Sequence, residues 1–495
     1  MQSSCIHVWC VVLSLLLMAL DCNDAVAQQK WLPDEFATEL KAKIQRVGEE
    51  TPVPGLAIAI IDSGGRIQSS GFGFSDLESK SKVNPSDTIF QIGSISKSFT
   101  ATLAAQLESE GKLSWDEPLS KSIANLDLPS ENIRLKHLAQ HTSGLPGDAP
   151  NLRRKHGDYP ILAFTHFELY RGLESSTVHS RPGERWSYSN FGYAVFGHVL
   201  ELKTKTPYET LVKQRVFDPL NMDSSTITIW PELQERLATP YHLVDGKLVK
   251  YDCPWDQEAL APAGGIASTV DDMAKYAVFQ LQSNALKDEV GRLQIATVET
   301  GGNPYGKGWF NEQIPGLGTV VSVGGDVDGY VGEVVLAPKK GIGCVILVNS
   351  GDAPFLQHLG RWVLTRLQER KTGDSSNERL FFEGMMAQSI KDWPTAIQLL
   401  SAACESSSHQ AASYQIGKTA AISGQFTVSG KKALKQYLTG KPLQGISRAA
   451  AYWRLGMICE NSGQLADARE SYEKSLELDA NFLPAKTALD KLNYE

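Results

Sequence analysis

Cysteine is scarce in this chain: seven in 495 residues, three of them (Cys5, Cys10 and Cys22) inside the first 27. The other four, Cys253, Cys344, Cys404 and Cys459, lie far apart with neither C-x-x-C nor metal-ligand spacing. They read as buried thiols or one bridge that spacing does not assign. Positive charge is short as well. With 48 Lys and Arg against 56 Asp and Glu the net charge is −8, which argues against nucleic acid as the main partner because phosphate binding needs a basic surface. Long apolar runs are missing apart from Val8 to Leu20, too short to cross a bilayer in comfort. Nucleotide signatures are absent too. The glycines of Ala263-Gly264-Gly265 do not form G-x-G-x-x-G, and no complete phosphate-binding loop is present. His137 and His141 have the i, i+4 spacing of a metal pair, but no glutamate follows the first histidine. His141-Thr142-Ser143-Gly144 reads instead as a turn that ends a helix, and neither metal nor cofactor is expected.

The apolar run is followed by Asp21, Asn23 and Asp24, then by Ala25-Val26-Ala27, a small-x-small cleavage pattern. Residues 1–27 therefore read as a secretory signal peptide, although no Lys or Arg precedes the run. The expected address is periplasmic or extracellular, with no membrane span after cleavage. Hydrophobic content of 42% and charge of 21% are ordinary for a soluble globular protein.

In chain order, Asp34 to Glu49 carries Phe36, Leu40 and Ile44 on one helical face. Leu56 to Ile61 reads as a buried strand, Asp62-Ser63-Gly64-Gly65 as a hairpin turn, and Arg66 to Phe72 as its partner. Residues 112–300 are mostly helical in pattern, with irregular connections. From Thr319 the pattern reverts to strands: Thr319 to Val323, Val331 to Leu336, and Gly341 to Val348. A last helix, Phe355 to Leu367, follows. Strands at both ends with helices between them imply an α+β fold, one sheet built from both ends around a helical insertion. Lys371 to Asn377 is polar and reads as a linker.

Within this frame Gln91 to Thr100 contains Ser94 and Lys97, three apart and so neighbours on a helix. An apolar extended segment, Thr88 to Ile92, feeds them into a helix with Phe99, Leu103 and Leu107 on one face. The positive end of that helix favours a serine oxyanion and disfavours an ammonium. A neutral lysine there could take the serine proton.

The tetrad does not stand alone. Phe90-Gln91-Ile92-Gly93-Ser94-Ile95-Ser96-Lys97, His141-Thr142-Ser143-Gly144-Leu145, Arg181-Pro182-Gly183, Tyr188-Ser189-Asn190 and Ala263-Gly264-Gly265 follow one another in that order. Together they resemble the serine β-lactamase and penicillin-binding protein superfamily, in its class C-like branch, over about residues 31–370. The resemblance implies an antiparallel sheet flanked by helices, with a serine hydrolase domain over residues 28–370. It implies Ser94 as nucleophile, activated by Lys97 and Tyr188, and Asn190 hydrogen-bonded to Lys97 and to the acyl group. The oxyanion hole would be the N–H of Ser94 and that of Gly325 on the edge strand, beside Gly324. Where members carry Lys-Thr-Gly or His-x-Gly, this chain reads Ser322-Val323-Gly324-Gly325, and neither register recovers a cation. Serine at 322 could donate a hydrogen bond to substrate but offers no charge, which weakens the case for carboxylate-bearing substrates.

Residues 378–495 are helical in pattern and repetitive. Gly384, Gly417 and Gly456 stand 33 and 39 residues apart. Tyr452, Leu455-Gly456, Gly463, Ala468 and Tyr472 fall on the tetratricopeptide pattern. Three helix pairs and a closing helix would resemble a tetratricopeptide array, an all-α domain with a groove for a protein partner. Two functions remain open from sequence. One is an exported serine hydrolase acting on a small ester, amide, lactam or D-amino peptide. The other is a non-catalytic binder of cell-wall or peptide ligands.

Overall fold

A computed structural model describes residues 31–494, apart from 124, 153, 157–158, 162–163, 252–257, 284–287, 374–375, 406–408 and 444. Helix α1 (Asp34–Glu50) leads into strands β1 (Gly55–Ile61), β2 (Ile67–Asp76) and the short β3 (Ser81–Lys82). Helix α2 (Ser96–Ser109) opens the helical region, which includes α3 (His166–Ser175), α4 (Asn190–Thr204) and α5 (Val270–Gln282). Strands β4 (Phe310–Ile314), β5 (Gly318–Val327), β6 (Tyr330–Ala337) and β7 (Ile342–Val348) then return to the sheet before α6 (Leu356–Thr372). The seven strands run in the order β4-β5-β6-β7-β1-β2-β3, every pair antiparallel. Strand β1 pairs with β7 from Leu56↔Val348 to Ile61↔Gly343, so the two ends of the domain meet in mid-sheet.

Those central strands read as unbroken apolar runs because both of their faces are covered. Successive side chains alternate between faces. Ala57, Ala59 and Ile61, with Val345 and Leu347, join the core shared with α2, α4 and α5. Leu56, Ile58 and Ile60, with Cys344, Ile346 and Val348, join the core shared with α1 and α6. Phe36 of α1 packs on Trp362 of α6 with ring centroids 5.7 Å apart.

Lys371 to Asn377 is not the linker its polarity suggests. Helix α6 runs through Thr372, ends on left-handed Gly373, and α7 (Asn377–Ser389) begins almost at once. Phe382, Met386 and Ile390 of α7 are buried in the same core as Phe36 and Trp362. The Glu383 carboxylate accepts from the Trp362 indole (2.9 Å) and pairs with Lys43 (3.2 Å). The first repeat helix thus completes the hydrolase domain's outer core. Phe382→Ala should cost about 3 kcal/mol or more and lower the melting temperature of the whole chain in calorimetry. A melt in which only the repeats shift would show the two parts to be energetically separate.

The repeat region continues with α8 (Trp393–Glu405), α9 (Gln410–Ser423), α10 (Thr427–Thr439), α11 (Arg448–Asn461), α12 (Leu465–Leu478) and α13 (Leu483–Tyr494). The three repeating glycines have one steric cause. A Cβ on Gly384 would lie 2.7 Å from Leu400, on Gly417 2.2 Å from Leu434, and on Gly456 2.3 Å from the Tyr472 ring. In each pair the first helix gives way so that a large side chain of the second can close the pair. Cys344, Cys404 and Cys459 are free thiols; Cys253 and residues 1–27 lie outside the described residues.

Candidate active site

Ser94 sits on a single 3-10 turn, Gly93–Ile95, between the short strand Phe90–Gln91 and α2. The strand pairs with Ala267 and Ser268, and Ile92 N–H donates to Ile266 O at 3.0 Å. The turn rests directly on β5. Gly93 is left-handed (φ 51°), and a Cβ on it would meet the Asp326 backbone at 3.0 Å. A Cβ on Gly325 would lie 1.9 Å from Ile92 O and 3.1 Å from Ile95 N. Only glycine at both positions lets β5 approach the serine turn so closely.

Lys97, one turn into α2, is buried at 2% exposure. Its Nζ lies 2.9 Å from Ser94 Oγ and donates to Ala263 O at 2.6 Å. Burial lowers its pKa from the ordinary 10.5, while Tyr188 acts in the opposite sense. Desolvation therefore favours the neutral amine. With one N–H given to Ala263 O, the neutral amine can turn its lone pair to Ser94. The carbonyl partner explains the placement of Ala263-Gly264-Gly265, whose role composition did not disclose.

Tyr188 OH lies 2.7 Å from Ser94 Oγ, and the Lys97 ammonium position is 4.9 Å from its ring. The loop that carries it is gripped on both sides by His141. Ser187 N–H donates to His141 O (2.7 Å) and Ser189 N–H to His141 Nδ1 (3.0 Å). Ser189 Oγ then caps α4 by accepting the Gly192 N–H at 2.8 Å. His141 is fully buried and left-handed (φ 57°). Burial, with a smaller contribution from Lys97, holds its pKa well below 6.5, so it stays neutral. Because Nδ1 accepts, the proton is on Nε2. The local sequence marks His141 only as part of a turn; its reach across 48 residues to Ser189 has no local signal. His137 is engaged locally as well, its Nδ1 accepting the Arg134 N–H at 3.2 Å. His141→Ala should lower kcat by about 10²-fold through misplacement of Tyr188. His141→Asn, which tolerates left-handed backbone and offers an acceptor, should retain more of the rate. Equal losses in both variants would remove the positioning role.

The remaining sequence-derived residues divide. Gly325 faces the serine turn, as its contacts show. Gly324 is exposed and points to open space, with Gly332 O at 3.8 Å its nearest neighbour. Asn190, the first residue of α4, donates from Nδ2 to Asp148 Oδ1 at 3.2 Å, while the Lys97 Nζ hydrogen bonds go to Ser94 Oγ and Ala263 O; the acidic partner sits at the helix's positive end. Ser322 is misplaced for substrate. It is buried on the α6 face, where its Oγ accepts from Arg361 Nη2 at 3.1 Å, inside a cluster of Arg361 with Glu333 and Glu312. Val323 occupies the site-facing position and belongs to the inner core. The period of two decides this, so the strand offers the site no cation.

A cleft of about 550 Å³ is lined by Tyr188, Trp186, Arg185 and Glu299. Behind the cleft, Trp186 packs edge-on against Tyr305 and Phe310, with ring centroids 6.2 Å away in each case.

Such a sheet, with a serine turn and a buried lysine beneath it, defines a domain of the serine hydrolase superfamily carrying a helical-repeat tail. Residues 40–366 match the Beta-lactamase family and residues 449–482 the Tetratricopeptide repeat. The chain belongs to the Beta-lactamase family. "Protein flp" from Staphylococcus aureus (strain MW2) is 26% identical over 349 residues, 67% of this chain and 68% of that protein. A "Beta-lactamase" from Pseudomonas fluorescens is 26% identical over 62% of this chain and 91% of its own length. The octameric penicillin-binding protein homologue from Pyrococcus abyssi superposes with a TM-score of 0.59 at 30% identity, covering 68% of this chain and 78% of that one. A β-lactamase/D-alanine carboxypeptidase from Pseudomonas syringae shares the fold, with a TM-score of 0.58 at 22% identity over 69% and 99% of the two chains.

Proposed function

We propose that the protein is an exported serine hydrolase that forms an acyl-enzyme on Ser94 and hydrolyses an ester, amide or lactam. The observation that carries this reading is the convergence of Lys97 Nζ (2.9 Å) and Tyr188 OH (2.7 Å) on Ser94 Oγ. In the proposed reaction, neutral Lys97 accepts the Ser94 proton, with Tyr188 hydrogen-bonded to the same oxygen. Ser94 Oγ adds to the substrate carbonyl, and the N–H groups of Ser94 and Gly325 receive the oxyanion. The leaving group departs with the proton held by the Lys97–Tyr188 pair. Water, deprotonated by the same pair, then releases the acid and restores Ser94. The absence of a cation on β5 favours substrates that carry no carboxylate beside that strand.

The missing cation also supports a second reading, a hydrolase-like domain that binds ligand without turnover. A panel of nitrophenyl esters, nitrocefin and D-amino-acid amides, run with exported protein and Ser94→Ala, separates them. Turnover of at least one substrate that Ser94→Ala loses supports the hydrolase; a panel with no Ser94-dependent turnover leaves the binder. Export rests on Val8 to Ala27, and the mass of the same preparation reports whether residues 1–27 have been removed. The tetratricopeptide match supports a protein partner for the repeats.

A further inference from the structure

Away from Ser94, α3 and α4 bring three ligand-type side chains together. His166 is the first residue of α3, and His198 and Glu201 lie three apart on α4. His166 Nε2 is 2.7 Å from Glu201 Oε2, and His198 Nδ1 is 2.9 Å from the same oxygen. The two imidazole centroids are 4.5 Å apart, and the three donor atoms all fall within 4.8 Å of one another. Two of the three are oriented from behind. Glu201 Oε1 accepts the Tyr208 N–H at 2.8 Å, and His198 Nε2 meets Tyr170 OH at 2.8 Å. Outer partners of this kind fix the ring and carboxylate of a metal ligand.

His166 and Glu201 also line a cavity of about 980 Å³, whose walls include Tyr208, Glu209 and Glu258 but not Ser94, Lys97 or Tyr188. We propose that His166, His198 and Glu201 bind a divalent transition metal of the zinc type, with its fourth position open to this cavity. Two imidazoles and one carboxylate suit zinc better than magnesium or calcium, which prefer all-oxygen sites. A tetrahedral ion about 2.1 Å from each donor spaces donors about 3.4 Å apart. Separations of 2.7 and 2.9 Å therefore need to open by about 0.5 to 0.7 Å, while the two imidazole donors, which lie within 4.8 Å of one another, settle at the same spacing. His166 can supply that movement, because its side chain is 42% exposed. On binding, each ring offers a lone pair. His198 then carries its proton on Nε2, where the Tyr170 oxygen accepts it. The ion would tie α3 to α4, the helix that follows directly on Tyr188-Ser189. The pairing is invisible in sequence, because His166 stands 32 residues before His198.

Without metal the same groups can close as a hydrogen-bonded knot, so the test must separate the two. Untagged mature protein is stripped with chelator, loaded with zinc sulfate, desalted, and its zinc measured by mass spectrometry. Cobalt substitution reports coordination through its visible absorption. About one zinc per chain is expected, with His166→Asn and Glu201→Gln each weakening zinc affinity at least about tenfold and abolishing the tetrahedral cobalt bands. Circular dichroism and melting in chelator verify that each variant is folded. The proposal is overturned if zinc remains substoichiometric in the wild type, or if folded His166→Asn binds it equally well.

Discussion

Ser94→Ala should abolish covalent capture by a fluorophosphonate or labelled-penicillin probe and lower kcat for any substrate of the panel by at least about 10³-fold. The loss is expected to be this large because Ser94 Oγ is the atom on which both Lys97 and Tyr188 converge. No other described hydroxyl is within reach of both. The substitution is small and the turn is held by its backbone: Ile92 N–H on Ile266 O, and glycines 93 and 325 packed against their neighbours. Stability should therefore stay near that of the wild type, and loss of rate reports chemistry rather than unfolding. Equal labelling of Ser94→Ala and wild type would sink the acyl-enzyme, whatever the family.

The second large effect belongs to Lys97. Lys97→Met keeps the length of the side chain but removes the base, and should lower kcat by about 10²- to 10⁴-fold. The pH profile carries the sharper test. Burial lowers the pKa of Lys97 from 10.5, so wild-type kcat/KM should rise with pH along a limb whose midpoint lies below that value. Lys97→Met should lack this limb. Stability should move in a linked way. Between the lowered folded pKa and 10.5 the unfolded chain holds a proton that the folded chain does not, so wild-type stability rises with pH through that window. At neutral pH the buried lysine is a cost to folding, and Lys97→Met should be no less stable than wild type. Its advantage should shrink towards pH 10.5. Retention of the alkaline limb in Lys97→Met would assign the base to another group.

Much of the fold was legible because local periods are strong. The buried run Leu56–Ile61 and the face Phe36, Leu40 announce a strand and a helix by themselves. The repeating glycines at 384, 417 and 456 mark the helix pairs without reference to their packing. Ser94, Lys97 and Tyr188 were legible through the order of their motifs, and the structure brings these three together. The polar stretch at Lys371–Asn377 misled, because polarity reports solvent exposure and not mechanical independence. Helix α6 simply continues through Thr372, and α7 packs back beneath it. Ser322 misled for a related reason. A motif places a residue on an element but does not say which way its side chain turns.

By itself, then, the sequence determined the elements, the two-part organisation and the identity of the groups gathered at Ser94. Tertiary structure alone decided that Val323 and not Ser322 faces the site, since a one-residue change of register on β5 exchanges its two faces. It alone placed His141 against both flanks of Tyr188 and drew His166 towards His198 and Glu201. Those contacts depend on how separate helices and loops pack. No period of 2 or 3.6 along the chain encodes a distance between elements that meet only in the folded molecule.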